Sequence, residues 1–265
     1  MALEPPLIML RGAGFRYGDR PVFSAIDLDV HGGEVLTVLG PNGCGKSTLL
    51  HCIGGSLALT AGSVHMAGQN LMQLGPTDRA RQVGFLFQDH VPSFPFSVLD
   101  VAAMGRTPYL GIFGAPSRQD MLLAEAALEQ LGIGHLSGRP YTELSGGERQ
   151  LALLARTLVQ QPKVILLDEP TAHLDLKNQV RCLHIIQVLA AQGIAMIMSS
   201  HDPNHAFAVS GRVALMQPGK TLLVGTADSV LTKAALSASY GTDIGVFEVA
   251  GGQKTFKFCS PWQTS

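Results

Sequence analysis

The 265-residue chain has no apolar run approaching the roughly 18 to 20 residues that cross a bilayer; its longest, such as Val164 to Leu167 and Ile194 to Met198, are short. A membrane-spanning helix is therefore not expected. The N-terminal stretch MALEPPLIML has neither a basic segment nor an extended apolar core, so no secretory signal is expected and residence in the cytosol follows. Cysteine is scarce: Cys44, Cys52, Cys182 and Cys259 form no CxxC pair, and reduced thiols are the expected state in that compartment. Charge of either sign never gathers. Lys plus Arg number 19 and Asp plus Glu 20, for a net charge of −1 without a basic arm or an acidic tail, so no nucleic-acid partner is expected. Charged residues make up only 15%, against about 25% in an ordinary soluble domain, which suggests that partners cover part of the surface. Low-complexity tracts and internal repeats are absent too, and 46% hydrophobic residues suffice for one globular core.

Against these absences, one segment is dense with chemistry. The apolar run Val35 to Leu39 leads into Gly40-Pro41-Asn42-Gly43-Cys44-Gly45-Lys46-Ser47-Thr48 and then Leu49-Leu50. This reads as strand, glycine-rich turn and helix start, and it satisfies GxxxxGK[ST]. In such a loop successive backbone N–H groups curl round phosphate oxygens, glycines admit close approach, and the helix N-terminus adds a favourable dipole. Lys46 is expected on the β- and γ-phosphates and Ser47 on Mg²⁺, which makes ATP and Mg²⁺ the expected ligands.

A second run, Val164-Ile165-Leu166-Leu167, ends in Asp168-Glu169-Pro170. Four adjacent aliphatics fit a central parallel strand covered on both faces, and ligands of such sheets bind beyond the strands' carboxyl ends. There Asp168 is the candidate Mg²⁺ partner and Glu169 the candidate base for a water attacking the γ-phosphate. By themselves the two carboxylates also fit a solvated acidic turn. A third segment, Leu144-Ser145-Gly146-Gly147-Glu148-Arg149-Gln150, opens a helix with apolar positions at Leu151, Leu154, Ala155 and Leu158. Ser145, Gly146 and Gly147 make a second anion-binding helix start far from the first in sequence. A two-fold homodimer, with one copy's loop facing the other's Ser-Gly-Gly across ATP, gives both a purpose.

Together these segments resemble the nucleotide-binding subunit of an ATP-binding cassette (ABC) transporter, from about Leu7 to Val249. The order is phosphate loop, Gln88, LSGGE, Asp168-Glu169, Asp175, His201. The resemblance implies an α/β fold of P-loop NTPase type with an inserted helical subdomain and an antiparallel β region. It implies roles as well. Tyr17 matches the aromatic that stacks on adenine, although alone it reads as a strand residue with a half-buried ring. Gln88 matches the glutamine that contacts Mg²⁺ or the attacking water, or else simply ends a strand. Asp175, in Ala172-His173-Leu174-Asp175, matches the loop through which two subunits sense each other, and it also fits a cap for the helix Leu176 to Ala191. His201 matches the switch histidine that contacts the γ-phosphate. Glu148 departs from the family's commonest glutamine. His201 and His205 lie four residues apart, which on one helix suits a metal pair; Pro203 instead suggests a helix that starts after His201.

The expected organisation is an α/β core over 1–87 and 162–240, a helical subdomain over 88–161 and a short β-rich tail over 241–265. Within SFPFSVLDVAAMGR, beyond Gln88, family members receive the coupling helix of their membrane subunit; Val98, Val101 and Met104 are expected in the core. RPYTELSGGERQ and TAHLDLKNQ resemble ATPases of importers for iron–siderophore, haem, cobalamin or molybdate-type cargo. The implied partners are a second copy, an integral-membrane permease and, indirectly, an extracytoplasmic binding protein, with the chain peripheral on the cytoplasmic face of the inner membrane. The alternative is a soluble ABC ATPase acting as an assembly scaffold of the iron–sulfur type.

Overall fold

Alternating apolar strands and amphipathic helices dominate the chain. The computed structural model describes residues 5–87, 94–111, 114–209, 211–219, 221–251 and 254–261. Strands β1 (Ile8–Tyr17) and β2 (Arg20–Val30) form a hairpin, followed by β3 (Val35–Leu39), helix α1 (Lys46–Ile53), β4 (Ala61–Met66), β5 (Gln69–Asn70), α2 (Pro76–Gln82) and β6 (Val83–Leu86). Helices α3 (Val98–Ala103), α4 (Arg118–Gln130) and α5 (Gly146–Val159) come next. The chain then alternates through β7 (Val164–Leu167), α6 (Leu176–Ala191), β8 (Ala195–Ser200), α7 (Pro203–Val209) and β9 (Arg212–Met216). It closes with β10 (Leu222–Thr226), α8 (Ala227–Val230), α9 (Lys233–Tyr240) and the hairpin β11 (Ile244–Gly251) and β12 (Lys254–Pro261).

The central sheet has the order β10-β9-β3-β8-β7-β6 and is parallel except for the edge strand β10. Its inner strands are buried on both faces, and alternate residues serve different layers. In β7, Val164 and Leu166 join a core with α1 and the antiparallel sheet β2-β1-β4-β5, while Ile165 and Leu167 join a core with α3, α4, α5 and α6. Leu49, Leu50 and Ile53 of α1 are fully buried, and burying each such side chain contributes about 1.5 to 3 kcal/mol. A third cluster binds α9 and the last hairpin to the sheet through Leu39, Ala206, Leu215, Leu236 and Ile244.

Helices α3 to α5 pack on one another as the expected helical region. Capping boxes start all three: Ser97 with Asp100, Ser117 with Asp120, and Ser145 with Glu148. Val98 and Val101 are buried as expected, but Met104 is 39% exposed and corrects that expectation. It lies six residues after Val98, about 120° round a helix from it, so it cannot share Val98's inward face. Among the described residues no helix is long and apolar enough to cross a membrane.

Candidate active site

Strand β3 ends at Leu39, and the chain turns back over the sheet's carboxyl edge before α1 begins. That path depends on glycine at two positions. Gly40 has φ 152°, and a Cβ there would lie 2.7 Å from the Cys44 Sγ; Gly45 has φ 111°, and a Cβ there would lie 2.5 Å from the Val22 Cγ1. Gly45 is also the N-cap of α1 and supplies no side-chain cap, so the first N–H groups of the helix have no capping acceptor. An anion is the natural acceptor for them. Lys46 begins the helix almost wholly buried, its Nζ donating to the carbonyls of Gly40 at 3.0 Å and Pro41 at 3.2 Å. Burial pushes the Cys44 thiol up, against the pull of the Lys46 ammonium, so the thiol in this loop stays protonated.

The strand order β3-β8-β7 brings three loops together, because each neighbouring strand ends at the same edge. Ser47 Oγ donates to Asp168 Oδ1 at 3.0 Å. The Lys46 Nζ lies 3.5 Å from Glu169 Oε1, and His201 Nδ1 lies 3.2 Å from Glu169 Oε2. Glu169 is thus held between an ammonium and an imidazole. Its backbone is strained: φ is +46°, a left-handed conformation that costs a non-glycine residue about 1 to 3 kcal/mol. Ser199 at the end of β8 holds it there, accepting from the Glu169 N–H at 2.8 Å while donating to Asp168 Oδ1 at 2.6 Å. Behind this, His205 Nδ1 meets Ser200 Oγ at 2.9 Å and Thr171 Oγ1 at 3.3 Å, and burial lowers its pKa toward a neutral ring. Helix α7 begins at Pro203, so His201 stands outside it.

A cleft with a cavity volume of about 860 Å³ runs from this cluster to the β1–β2 hairpin tip. It is lined by Asn42, Gly43, Cys44, Gly45, Lys46, Ser47, Thr48, Glu169 and, at its far end, Tyr17. Tyr17 is 55% exposed, its ring edge-on to Phe15 at 4.9 Å, a surface available for stacking. Ser145, Gly146, Gly147 and Asp175 do not line this cleft. Ser145 caps α5, and Asp175 caps α6 by accepting from the Asn178 N–H at 2.8 Å. Gln88 lies outside the described residues. Sequence reasoning missed Ser199, whose role depends on β8 lying between β3 and β7, and the cleft wall from Arg20 and Gln217 to Gly219. Arg20 had a signal, standing opposite Tyr17 across a two-residue turn.

The oxygen donors Ser47 and Asp168 suit a hard cation such as Mg²⁺. Among the described residues no group of three or more His, Cys, Asp or Glu side chains could hold a metal ion unaided. A cation here would therefore be shared with ligand oxygens, as Mg²⁺ commonly is in phosphate sites.

Residues 23–172, which include the loop, the α5 start and the Asp168-Glu169 pair, match the family described as ABC transporter. The chain belongs to that family. A hemin import ATP-binding protein, HmuV, of Gloeobacter violaceus is 39% identical over 242 residues, spanning 89% of this chain and 87% of that protein. HmuV of Pseudomonas entomophila is 38% identical over 244 residues, spanning 90% of this chain and 94% of that protein. A chain of a solved metal-chelate type ABC transporter, in an inward-facing conformation, superposes with a TM-score of 0.88 at 32% identity, covering 97% of this chain and 98% of that one. The fold is that of an ABC ATPase, and the chain is an ATPase of the transporter type.

Proposed function

We propose that this ABC ATPase is the motor subunit of an importer for a metal chelate of the haem type, driving a separate membrane permease. The observation that carries the chemistry is the contact chain from Lys46 through Glu169 to His201, beside Ser47 and Asp168. In this reading the adenine stacks on Tyr17 and the backbone from Asn42 to Thr48 wraps the phosphates. Lys46 neutralises the β- and γ-phosphate oxygens. Glu169 takes a proton from water as the water oxygen bonds to the γ-phosphorus, the bond to the β-phosphate oxygen breaks, and ADP and phosphate leave. His201 keeps the carboxylate aimed and contacts the γ-phosphate. Ser47 and Asp168, with Gln88, would hold Mg²⁺, which when bound offsets charge on the phosphate oxygens.

Ser145, Gly146 and Gly147 are assigned to the nucleotide of a second copy, and Asp175 to the contact between copies. We further assign 1–87 and 162–240 to the core, 88–161 to the helical subdomain and 241–265 to a tail. Phe94 and Phe96 are 65% and 47% exposed with rings 6.0 Å apart, a patch suited to a permease helix at the inner face of the membrane. An extracytoplasmic binding protein would deliver the cargo to that permease. Relatives named as import subunits favour this reading over an assembly scaffold.

The test is Glu169→Gln in the purified chain. ATP binding by the variant is expected to persist while hydrolysis falls at least about 10²-fold. Turnover equal to the unaltered chain would remove Glu169 from its role, and haem-chelate uptake surviving deletion of the chain in cells would remove the cargo assignment.

A further inference from the structure

We propose that the hydroxyl of Tyr240, at the end of α9, is a positioning group for ATP hydrolysis: by holding the His201 carbonyl it fixes the His201 ring against Glu169. The inference rests on Glu169 and His201 acting on ATP as proposed above. Tyr240 Oη donates to the His201 carbonyl at 2.9 Å. That carbonyl is an effective handle, because the sheet ladder ends at Ser200 and α7 begins only at Pro203. His201 therefore sits in a two-residue gap without helix or strand hydrogen bonds to locate it. Its side chain is 53% exposed, so packing does not hold it either.

Ser200 Oγ turns the chain locally, accepting from the Asp202 N–H at 3.0 Å and donating to the Asp202 carbonyl at 3.2 Å, but the contacts that tie this turn to the rest of the fold include ones from the C-terminal part of the chain. Beside the Tyr240 contact, Asn204 forms a reciprocal pair with Cys259 of β12, accepting from its N–H at 2.7 Å and donating to its carbonyl at 3.2 Å. Tyr240 itself packs on the cluster that includes Leu39 and Ala206, elements that carry the phosphate loop and α7. Burial pushes its phenol up, and the backbone N–H of Gly40 pulls the other way, so the hydroxyl remains a donor at neutral pH. A continuous path then runs from α9 to the His201 carbonyl, through the imidazole to Glu169, on to Lys46, and back to the Gly40 and Pro41 carbonyls. Loosening its first link frees the imidazole from the carboxylate it aims, while Lys46 and the backbone from Asn42 to Thr48 keep their places; the second partner of the hydroxyl, the Gly40 N–H, lies ahead of that stretch.

Tyr240→Phe keeps the ring in its cluster and removes only the hydroxyl. The expected result is a kcat for ATP hydrolysis lowered about three- to tenfold, the scale of one hydrogen bond, with KM for ATP within about twofold of the starting value. Ser237→Ala is the control. Its hydroxyl accepts from the Ile244 N–H at 3.0 Å, so it ties the same helix to the hairpin without touching the His201 loop, and kcat should hold. A wild-type kcat in Tyr240→Phe, or an equal loss in Ser237→Ala, overturns the proposal. If the phenylalanine variant does not fold, Tyr240→Leu is measured and judged by the same split. Glu169→Gln in the same assay separates the two readings: its full activity sinks the underlying mechanism, whereas its inactivity beside an unaffected Tyr240→Phe sinks the positioning role alone.

Discussion

Helices α1 and α5 both begin next to glycines, and both are read here as phosphate-binding ends, yet their first turns are built in opposite ways. At α1 the N-cap Gly45 is left-handed and offers no side-chain acceptor, so the loop before it leaves N–H groups for a ligand. At α5 the N-cap Ser145 is extended and the turn closes on itself. Ser145 Oγ accepts from the Glu148 N–H at 3.4 Å, while Glu148 Oε2 accepts from the Ser145 N–H at 2.8 Å and its hydroxyl at 2.7 Å. The first end is shaped for an anion within one chain. The second is a stable helix start that presents exposed Gly146 outward, and it suits a ligand presented by another molecule. A helix end can therefore be an anion site through what its cap lacks, or remain a structural end until a partner arrives.

One methyl group added at each helix end should have the most unequal effects. Gly45→Ala would place a Cβ against Val22 at a positive φ. Overpacking of about 1 to 3 kcal/mol is expected there, with ATP affinity lowered at least about tenfold. Gly146→Ala meets nothing within 4 Å and has an ordinary helical backbone. Its single chain should melt at the same temperature or slightly higher and bind ATP unchanged. Thermal melts and ATP titrations of both variants check the contrast, and equal losses in the two would show that the ends are not built differently.

A smaller effect is expected from Ser145→Ala, which removes a cap worth about 0.5 to 2 kcal/mol and should lower the melting temperature by a few degrees while leaving ATP affinity of the lone chain intact. No such cap exists at α1 to remove. Denaturant midpoints beside ATP titrations decide it.

The smallest effect is a pH dependence at α5. Bonds from the Ser145 hydroxyl and N–H hold the Glu148 carboxyl below its ordinary value. A carboxyl depressed by folding contributes stability above its unfolded pKa, about 4.3, and that contribution is lost as pH falls through the lower folded value. Glu148→Gln should therefore be slightly less stable than the unaltered chain at neutral pH, with the difference closing under acid. The position is largely solvated, so screening keeps the difference small. Urea unfolding of both chains at neutral and acid pH measures it; a gap that widens toward low pH would contradict the capping geometry.

Much of the site could be read from residue order, because its chemistry is local. The loop from Gly40 to Thr48 is contiguous, Asp168 and Glu169 follow a four-residue aliphatic strand, and His201 follows another. The helix expected over Leu176 to Ala191 is found with those bounds. Met104 was misread because apolar identity was taken for burial where the helix had already turned away from its core.

What the sequence determined by itself is each element that nearest neighbours along the chain control: apolar periodicity sets strands and helices, serine and acidic pairs set caps, and glycine spacing sets the phosphate loop. Tertiary structure alone decided which ends meet. Ser199 reaches Asp168 and Glu169 only because β8 is inserted between β3 and β7, and Tyr240 reaches His201 only because the C-terminal helix folds back over that edge. Lateral strand order and long-range packing arise from shape and burial summed over the whole core, and such sums leave no pattern within any one stretch of sequence.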